Sequence, residues 1–443
     1  MSSAINVALP VIGKEFNSSA ILLSWIATSY LLTTAVLLIP IGKLSDIYGR
    51  SKFMKFGIII FTAGSLFCAL SNSGTMLLIF RLLQGIGASM IFTTSTAILV
   101  SAIPANERGK VIGINITSVY TGLSIGPFLG GMISQYLGWR FIFHFNFLLG
   151  IITIILVLFY LKSEWKEADE EKFDLIGSFI YVLSLTLIML GLTFLPNLSG
   201  IGLLISGIII LFLFFLFEGK KPNPVFNVIV FKNNKTFTFS NLSALINYSA
   251  TFAIGFLLSL YLQHIKDMSA RDAGFILVTQ PFIMAIFSPL AGKISDRIEP
   301  QVVASYGMGI LTIGLIIFTF ISPAFSLIWI VLNLALIGFG FALFSSPNTN
   351  AIMSSVDKKY YGVASSTLAS MRMVGQMFSM GIVIVIFTAF LGHAEISNVN
   401  QEEFISSLRF LFLLFGILCF IGIFASLARG RIHNEKIFSF PDS

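Results

Sequence analysis

Long apolar runs separated by short polar connections occupy most of the chain. The run from Ile151 to Leu161 reads IITIILVLFYL, without the alternation of apolar and polar residues that marks a barrel strand. Spanning a bilayer takes about 20 mostly apolar residues in a helix, and the chain offers about fourteen segments of this kind. The pattern therefore predicts an all-α polytopic membrane protein with about fourteen spans.

The first of these segments, Met1 to Ile12, is shorter than the others. At about 1.5 Å per residue it is too short to span by itself. It has neither a basic n-region nor a small-residue cleavage motif, which disfavours a secretory signal. We interpret it as the second half of a first helix whose beginning could lie upstream.

Composition supports the membrane assignment. Hydrophobic residues make up 56% of the 443 residues, charged residues make up 11%, and the mean hydropathy is +0.93. Ordinary soluble domains are about 45–50% apolar. Cys68 and Cys419 both lie in apolar runs, which disfavours a disulfide framework or a cysteine zinc site. No cofactor and no metal site is expected.

The basic residues predict an orientation. The stretch GKLSDIYGRSK, Gly42 to Lys52, concentrates charge in one connection. If this connection is cytoplasmic, about 20 Lys and Arg residues lie on the cytoplasmic side and about five lie outside. This asymmetry explains the net charge of +7 without nucleic acid and predicts cytoplasmic termini. We expect a multi-pass protein of the cell membrane.

The charged stretch recurs later in the chain. GKISDR, Gly292 to Arg297, repeats GKLSDI about 250 residues on, which is about eight helices at about 30 residues each. A second echo, between Ser95 to Lys110 and Asn348 to Gly362, has nearly the same offset. Two echoes at one offset predict a duplicated chain with two additional helices in the middle.

The duplication predicts a domain organisation. The predicted parts are an N-terminal six-helix bundle at 1–161, a segment at 162–235 with the additional helices Phe173 to Leu195 and Ile201 to Phe217, a C-terminal six-helix bundle at 236–427, and a cytoplasmic tail at 428–443. Parallel halves of this kind are typical of alternating-access transporters.

Ordered motifs support a family resemblance over essentially the whole chain. The residues that match are Gly42, Asp46, Gly49 and Arg50 after the second helix, Arg81, Gln84, Gly85 and Gly87 in the fourth, and Gly122, Gly126, Pro127, Gly130 and Gly131 in the fifth. NVALP, SWIATSYLL and WRFIFHFN match as well. The chain resembles the major facilitator superfamily, specifically its fourteen-helix drug:proton antiporter branch, the EmrB/QacA-like group. The resemblance implies a monomeric exporter of amphipathic compounds, driven by protons.

Each motif has a physical interpretation beside the one that the family implies. Basic residues in the loop follow from topology alone, but Asp46 between glycines does not, since glycine lets helix ends approach closely. The resemblance makes Asp46 and Arg50 part of a gate latch, with Gly292, Asp296 and Arg297 as the second-half equivalents. Glycines four residues apart in the fifth helix favour tight packing, and Pro127 favours a kink. The resemblance adds that this glycine face abuts the other half and limits leakage.

Two arginines and one histidine inside predicted spans are candidates for function. Arg81 lies about 9 Å into its helix and Arg372 about 16 Å, at about 1.5 Å per residue. Intramembrane arginines usually face a cavity or a partner. The resemblance gives Arg81 a role in proton transfer, whereas for Arg372 a structural tie remains an equal alternative. His144 is the second candidate for proton coupling, although a lone histidine is usually a core residue.

The family usually carries an aspartate five residues before the asparagine of NVALP, where this chain has Met1. No Asp or Glu occurs in the middle of any predicted span. Three explanations remain open: a start further upstream, coupling through another group such as His144, or an uncoupled facilitator. The superfamily plan gives these cavity candidates: Asn6, Tyr30, Gln84, Tyr120, Asn247, Tyr248, Gln280, Asn348 and Arg372.

Other functions are disfavoured. The chain has no HExxH or other intramembrane catalytic cluster, no repeated channel filter and no GxxxxGK[ST] loop. The prediction is thus a secondary exporter of amphipathic or hydrophobic molecules by proton antiport. An exporter of one endogenous metabolite or lipid is the alternative within the class.

Overall fold

The computed structural model describes residues 2–102, 108–166, 172–221, 224–226, 228–295, 297–356, 361–392 and 400–430. Within these ranges, only the backbone is described at 2–3, 96, 100, 108–117, 120, 123–124, 228–230 and 361–363. The described chain forms helices α1 Ser2–Phe16, α2 Ala20–Tyr48, α3 Arg50–Ala69, α4 Gly74–Ala102, α5 Arg108–Tyr136, α6 Arg140–Tyr160, α7 Leu175–Phe194, α8 Leu198–Glu218, α9 Val228–Asn233, α10 Lys235–Thr251, α11 Ile254–His264, α12 Ala270–Leu277, α13 Thr279–Ser295, α14 Pro300–Phe318, α15 Leu327–Ser354, α16 Tyr361–Leu391 and α17 Gln401–Leu427.

The predicted all-helical membrane architecture is confirmed, with 12 candidate spans among the described residues. Two of the predicted fourteen segments are outside this set. Helix α1 has 15 residues, and α5 has 29 but includes the stretch of backbone-only description. Apolar side chains are exposed along α6 and α8, for example Phe159 at 70% and Phe212 at 62%, as expected of lipid-facing surfaces.

Two predicted spans are interrupted. The span Lys235–His264 consists of α10 and α11, and Ala270–Ser295 consists of α12 and α13. At the first break the Ala253 N–H donates to Ser379 Oγ of α16 (3.1 Å), so a side chain from another helix enters the backbone ladder. At the second break Pro281 has no N–H to donate to the carbonyl four residues earlier.

The two additional helices form a hairpin close to the predicted positions. Asp174 caps α7 by accepting from the Gly177 N–H (2.9 Å). Gly191 and Gly207 bring the helices together, because an added Cβ at either would lie 2.5 Å from Leu204 N or 2.8 Å from Ile188 N. Such contacts with backbone leave no space for a side chain, so the hairpin packs at close range.

The chain divides into two compact units. The first unit comprises Met1–Ala20, Ile116–Trp139 and Val230–Ser443, and so joins α1 and most of α5 to the helices from α10 onward. The second unit comprises Ile21–Asn115 and Arg140–Ile229 and contains α2, α3, α4, α6, α7 and α8. Each candidate site below lies within one unit.

Candidate functional site

The charged stretch where α2 meets α3 contains an ion pair that is hydrogen-bonded to α4. Arg50 Nε lies 2.7 Å from Asp46 Oδ1, and its Nη1 donates to Ser101 Oγ at 2.7 Å. Arg50 is only 6% exposed. Gly49 between the two helices has φ +119°, in the region that favours glycine. The structure thus brings together Asp46, Gly49 and Arg50, and their role in a gate stays a prediction.

A residue that sequence reasoning missed completes this loop. The Glu164 carboxylate accepts from the Ser51 N–H (2.8 Å) at the start of α3, and the Arg50 N–H donates to the Trp165 carbonyl (3.0 Å). A side chain at Gly49 would overlap the Glu164 carboxyl carbon, 2.6 Å from an added Cβ. Glu164 therefore caps the N-terminus of α3 from the loop after α6, where a negative charge is favourable.

The sequence echo is also a structural one. Ser45 Oγ donates to the Gly42 carbonyl (2.8 Å), and Ser295 Oγ donates to the Gly292 carbonyl (2.7 Å). Gly42 of α2 lies against Thr93 of α4, and Gly292 of α13 lies against Ser346 of α15, so each glycine contacts the second helix after its own. Arg297 is exposed, and Asp296 lies outside the described residues.

Arg81 is the centre of a buried polar cluster in the second unit. It is 4% exposed, and its guanidinium carbon lies 4.3 Å from the centroid of the Tyr30 ring. Its Nε donates to the Ile26 carbonyl (3.2 Å) and its Nη1 to Gln84 Oε1 (2.5 Å). Gln84 Nε2 in turn donates to Ser65 Oγ (2.7 Å). No carboxylate contacts Arg81 among the residues with described side chains.

The glycine motif of α5 packs at close range on two other helices of the first unit. An added Cβ would lie 2.5 Å from the Ala4 carbonyl oxygen of α1 at Gly130, and 2.5 Å from the Ala270 carbonyl oxygen of α12 at Gly131. Reciprocally, a Cβ at Gly274 would lie 2.6 Å from the Pro127 carbonyl oxygen. The packing that the sequence predicts is therefore present at this end of the motif.

The other end of the motif differs. Gly126 is buried, but Gly122 is exposed, and a Cβ added there would meet nothing within 4 Å among the described atoms. Among the described atoms, tight packing in α5 thus involves Gly130 and Gly131 and does not extend to Gly122.

A second arginine lies over a second tyrosine, this time in the first unit. The guanidinium carbon of Arg372 on α16 lies 5.2 Å from the centroid of the Tyr248 ring on α10. Asn247 is fully buried, and neither of its amide atoms has a partner among the described residues. Asn348 Nδ2 donates to the Ser240 carbonyl (3.2 Å). The structure brings Arg372 and Tyr248 together, and their assignment to a substrate cavity stays a prediction.

The remaining candidate residues lie at separate positions in the fold. Asn6 is half-buried beside Gly255 of α11, and the Gln280 carbonyl lies against Gly338 of α15. His144 is half-buried, and its ring contacts Phe141 edge-on with centroids 5.5 Å apart. The Tyr120 side chain lies outside the described part of the chain.

Comparisons with known proteins agree with the motifs. A model of the Major Facilitator Superfamily matches residues 1–380 and, in a second alignment, 241–439. The riboflavin transporter RibZ of Clostridioides difficile (strain 630) is 29% identical over 435 residues, covering 98% of this chain and 95% of RibZ. The multidrug resistance protein Stp of Mycobacterium tuberculosis (strain CDC 1551 / Oshkosh) is 28% identical over 395 residues, covering 87% of this chain and 73% of Stp.

A solved structure has the same fold. The crystal structure of the human organic anion transporter MFSD10 (TETRAN) superposes with a TM-score of 0.66 and covers 96% of each chain. At 15% identity this likeness concerns the fold alone.

Proposed function

The chain belongs to the Major Facilitator Superfamily, a family of secondary transporters rather than enzymes, and from this we propose that it exports amphipathic aromatic molecules by alternating access and proton antiport. The observation that carries the proposal is the buried Arg81 cluster. A buried cation without a carboxylate partner is costly, and such groups in membrane proteins mark substrate or proton pathways. Multidrug resistance proteins among the relatives support export.

The charge of the cluster bears on substrate class. Each compact unit places a buried or half-buried arginine over a tyrosine ring, Arg81 over Tyr30 and Arg372 over Tyr248. A permanently cationic drug approaching either guanidinium would meet like charge in a medium of low dielectric, whereas a neutral or anionic ring would not. The proposed substrates are therefore neutral or anionic aromatic compounds.

The finer architecture belongs to the same proposal. We place α1 and α5 as the thirteenth and fourteenth membrane segments, in two six-helix halves at 1–161 and 236–427 around α7 and α8. The shared hydrogen bonds of Ser45 and Ser295 support the duplication. The surplus of basic residues beside the α2–α3 loop supports cytoplasmic termini in the cell membrane. The proposal also has the protein act as a monomer, with His144 as an accessory proton carrier.

The α2–α3 loop is proposed as a cytoplasmic gate latch. Asp46 and Arg50 form its ion pair, and Glu164 attaches it to the chain after α6. Because these contacts join α2, α3, α4 and α6, they hold four helix ends of the second unit in one arrangement. On the second-half side, Gly292, Asp296 and Arg297 are the proposed counterpart.

The experiment is a pH-jump efflux assay in vesicles, with one neutral, one anionic and one cationic fluorescent dye. We expect a proton gradient to drive efflux of the first two dyes, and Arg81→Ala to abolish that dependence. Arg409→Ala, which alters an exposed arginine on α17, is the matched control and should retain it. Dye efflux at the same rate with and without the proton gradient would exclude antiport. Faster efflux of the cationic dye than of the other two dyes would exclude the proposed substrate class.

A second candidate is transport of one flavin-like metabolite. The match to RibZ favours it, because it covers nearly all of both chains, whereas Stp extends well beyond the matched region. Saturable transport of riboflavin that is not inhibited by the dyes would establish this alternative over multidrug export.

A further inference from the structure

Two carboxyl groups meet where α7 begins and α8 ends. Asp174 precedes α7 and Glu218 is the last residue of α8. The Asp174 side chain is 7% exposed and Glu218 is 1% exposed. A Cβ added at Gly177 would overlap both Asp174 Oδ2 and Glu218 Oε1, so the two oxygens converge on one Cα. Glycine at this position makes room for the pair.

Hydrogen-bond donors around the pair account for only half of its oxygens. Asp174 Oδ1 accepts from the Gly177 N–H and is ion-paired with Lys221 Nζ. Glu218 Oε2 accepts from the Phe226 N–H (3.0 Å). The two converging oxygens, Asp174 Oδ2 and Glu218 Oε1, are buried and have no donor in the described part of the chain. One proton between them satisfies both, since a protonated carboxyl donates to a carboxylate.

Charge leads to the same conclusion. Among the described side chains one ammonium group, Lys221, serves two buried carboxyl groups, and like charges this close cannot both be ionised without a large cost. Burial by itself would raise the pKa of Asp174, but the Lys221 ammonium and the Gly177 N–H hold it below its ordinary value. Asp174 is therefore the carboxylate of the pair, and Glu218 is the acid.

We propose that Asp174 and Glu218 form a proton-binding site, and that the shared proton fixes the linker carrying Lys221 and Phe226 to the ends of α7 and α8. With the proton bound, the group of three side chains is neutral. When the proton leaves, two adjacent buried carboxylates share one ammonium group, the pair separates, and the Phe226 N–H loses its acceptor. Raising the pH thus releases the linker, and lowering it restores the contact.

The linker follows α8 in the chain, so the site makes the contact of this linker with α7 and α8 sensitive to proton concentration. This role is separate from substrate export and does not depend on it. Among the described side chains, the charged groups that face the pair are Lys221 from the linker, Asp174 before α7 and Glu218 on α8. Lys221 also lies over the Phe217 ring, 4.0 Å from its centroid, which keeps the ammonium at the hairpin.

Amide hydrogen exchange of the full-length protein in lipid nanodiscs tests the proposal, measured from about pH 5 to about pH 9, where buried carboxyl groups titrate. After correction for intrinsic rates, we expect exchange at Phe226 to rise about tenfold with pH, the effect of losing one hydrogen bond to a charged acceptor. Glu218→Gln, which mimics the protonated acid, should abolish this rise. Asp174→Asn, whose amide can donate to Glu218, should abolish it as well.

Infrared spectra of the same samples supply a readout that does not depend on the linker. The carbonyl stretch of a protonated carboxyl group should be present in the wild type, decline as Phe226 becomes exposed, and be absent in Glu218→Gln. Glu403→Gln, an exposed acid in the first turn of α17, should change neither signal. Exchange at Phe226 that does not vary with pH in the wild type, or that varies equally in both variants, would overturn the proposal.

Discussion

Substitution of Gly131 tests the close contact between α5 and α12. A Cβ at this position would lie 2.5 Å from the Ala270 carbonyl oxygen and 3.2 Å from the Arg271 Cα, both backbone atoms that no rotamer change can move. Relief requires the two helices to separate. Insertion of a methyl group into a packed contact typically costs about 1–3 kcal/mol. Since Gly131→Ala disfavours only the packed arrangement, its population relative to the separated one should fall about 5- to 150-fold.

Ser134 provides the assay. It is buried (6% exposed) one turn beyond Gly131 on the same helix. The two natural cysteines are buried, so Ser134→Cys introduces the thiol that reports opening. Maleimide labelling of this thiol should accelerate by the same 5- to 150-fold, an order-of-magnitude expectation, when Gly131→Ala is added. Gly122→Ala is the matched control, because the same change in the same helix meets nothing within 4 Å among described atoms.

Equal labelling in the two glycine variants would refute this reasoning, since the clash at Gly131 would then have no effect on packing. A slower reaction in Gly131→Ala than in Gly122→Ala would refute it too.

Two further predictions concern the second unit. Gln84→Ala should lower the free energy of unfolding by about 1–3 kcal/mol, because it leaves Arg81 Nη1 and Ser65 Oγ buried without this partner; thermal unfolding in detergent measures it, and an unchanged midpoint would contradict it. Glu164→Gln keeps an acceptor for the Ser51 N–H but removes the negative charge at the N-terminus of α3, worth about 0.3–1 kcal/mol. Exchange of the Ser51 amide should accelerate about two- to fivefold, and high salt should reduce the difference between wild type and variant.

Apolar runs alone locate most of the helices, because a helix that faces lipid has to be apolar over its whole length. The pairing of Arg81 with Gln84 was also within reach, since both are polar residues about one turn apart in the same apolar span, whereas the contact with Tyr30 joins α4 to α2 and needs the fold. The packing of Gly130 and Gly131 follows from small residues at helical spacing. These features depend on composition at single positions, which a sequence displays directly.

Other features depend on partners distant in sequence. Glu164 is one acid in a polar connection, and nothing near it indicates that it caps α3, 113 residues earlier. At the α10–α11 break the Ala253 N–H donates to a serine hydroxyl of α16, a partner that the local sequence does not indicate. The sequence does not reveal the exposure of Gly122 either. Gly122, Gly126 and Gly130 are evenly spaced, but no described neighbour lies opposite Gly122. Pro281, by contrast, was a visible signal for the α12–α13 break.

The hydrogen bond between the Ala253 amide and the Ser379 hydroxyl makes the backbone of the α10–α11 span depend on the position of α16. Because the hydrogen bond of 3.1 Å joins a side chain of α16 to a single backbone position, it fixes the interruption between α10 and α11 at Ala253. Sliding α16 by one residue, about 1.5 Å, would withdraw the hydroxyl and allow the backbone ladder to close. The interruption of this span therefore depends on the axial position of α16.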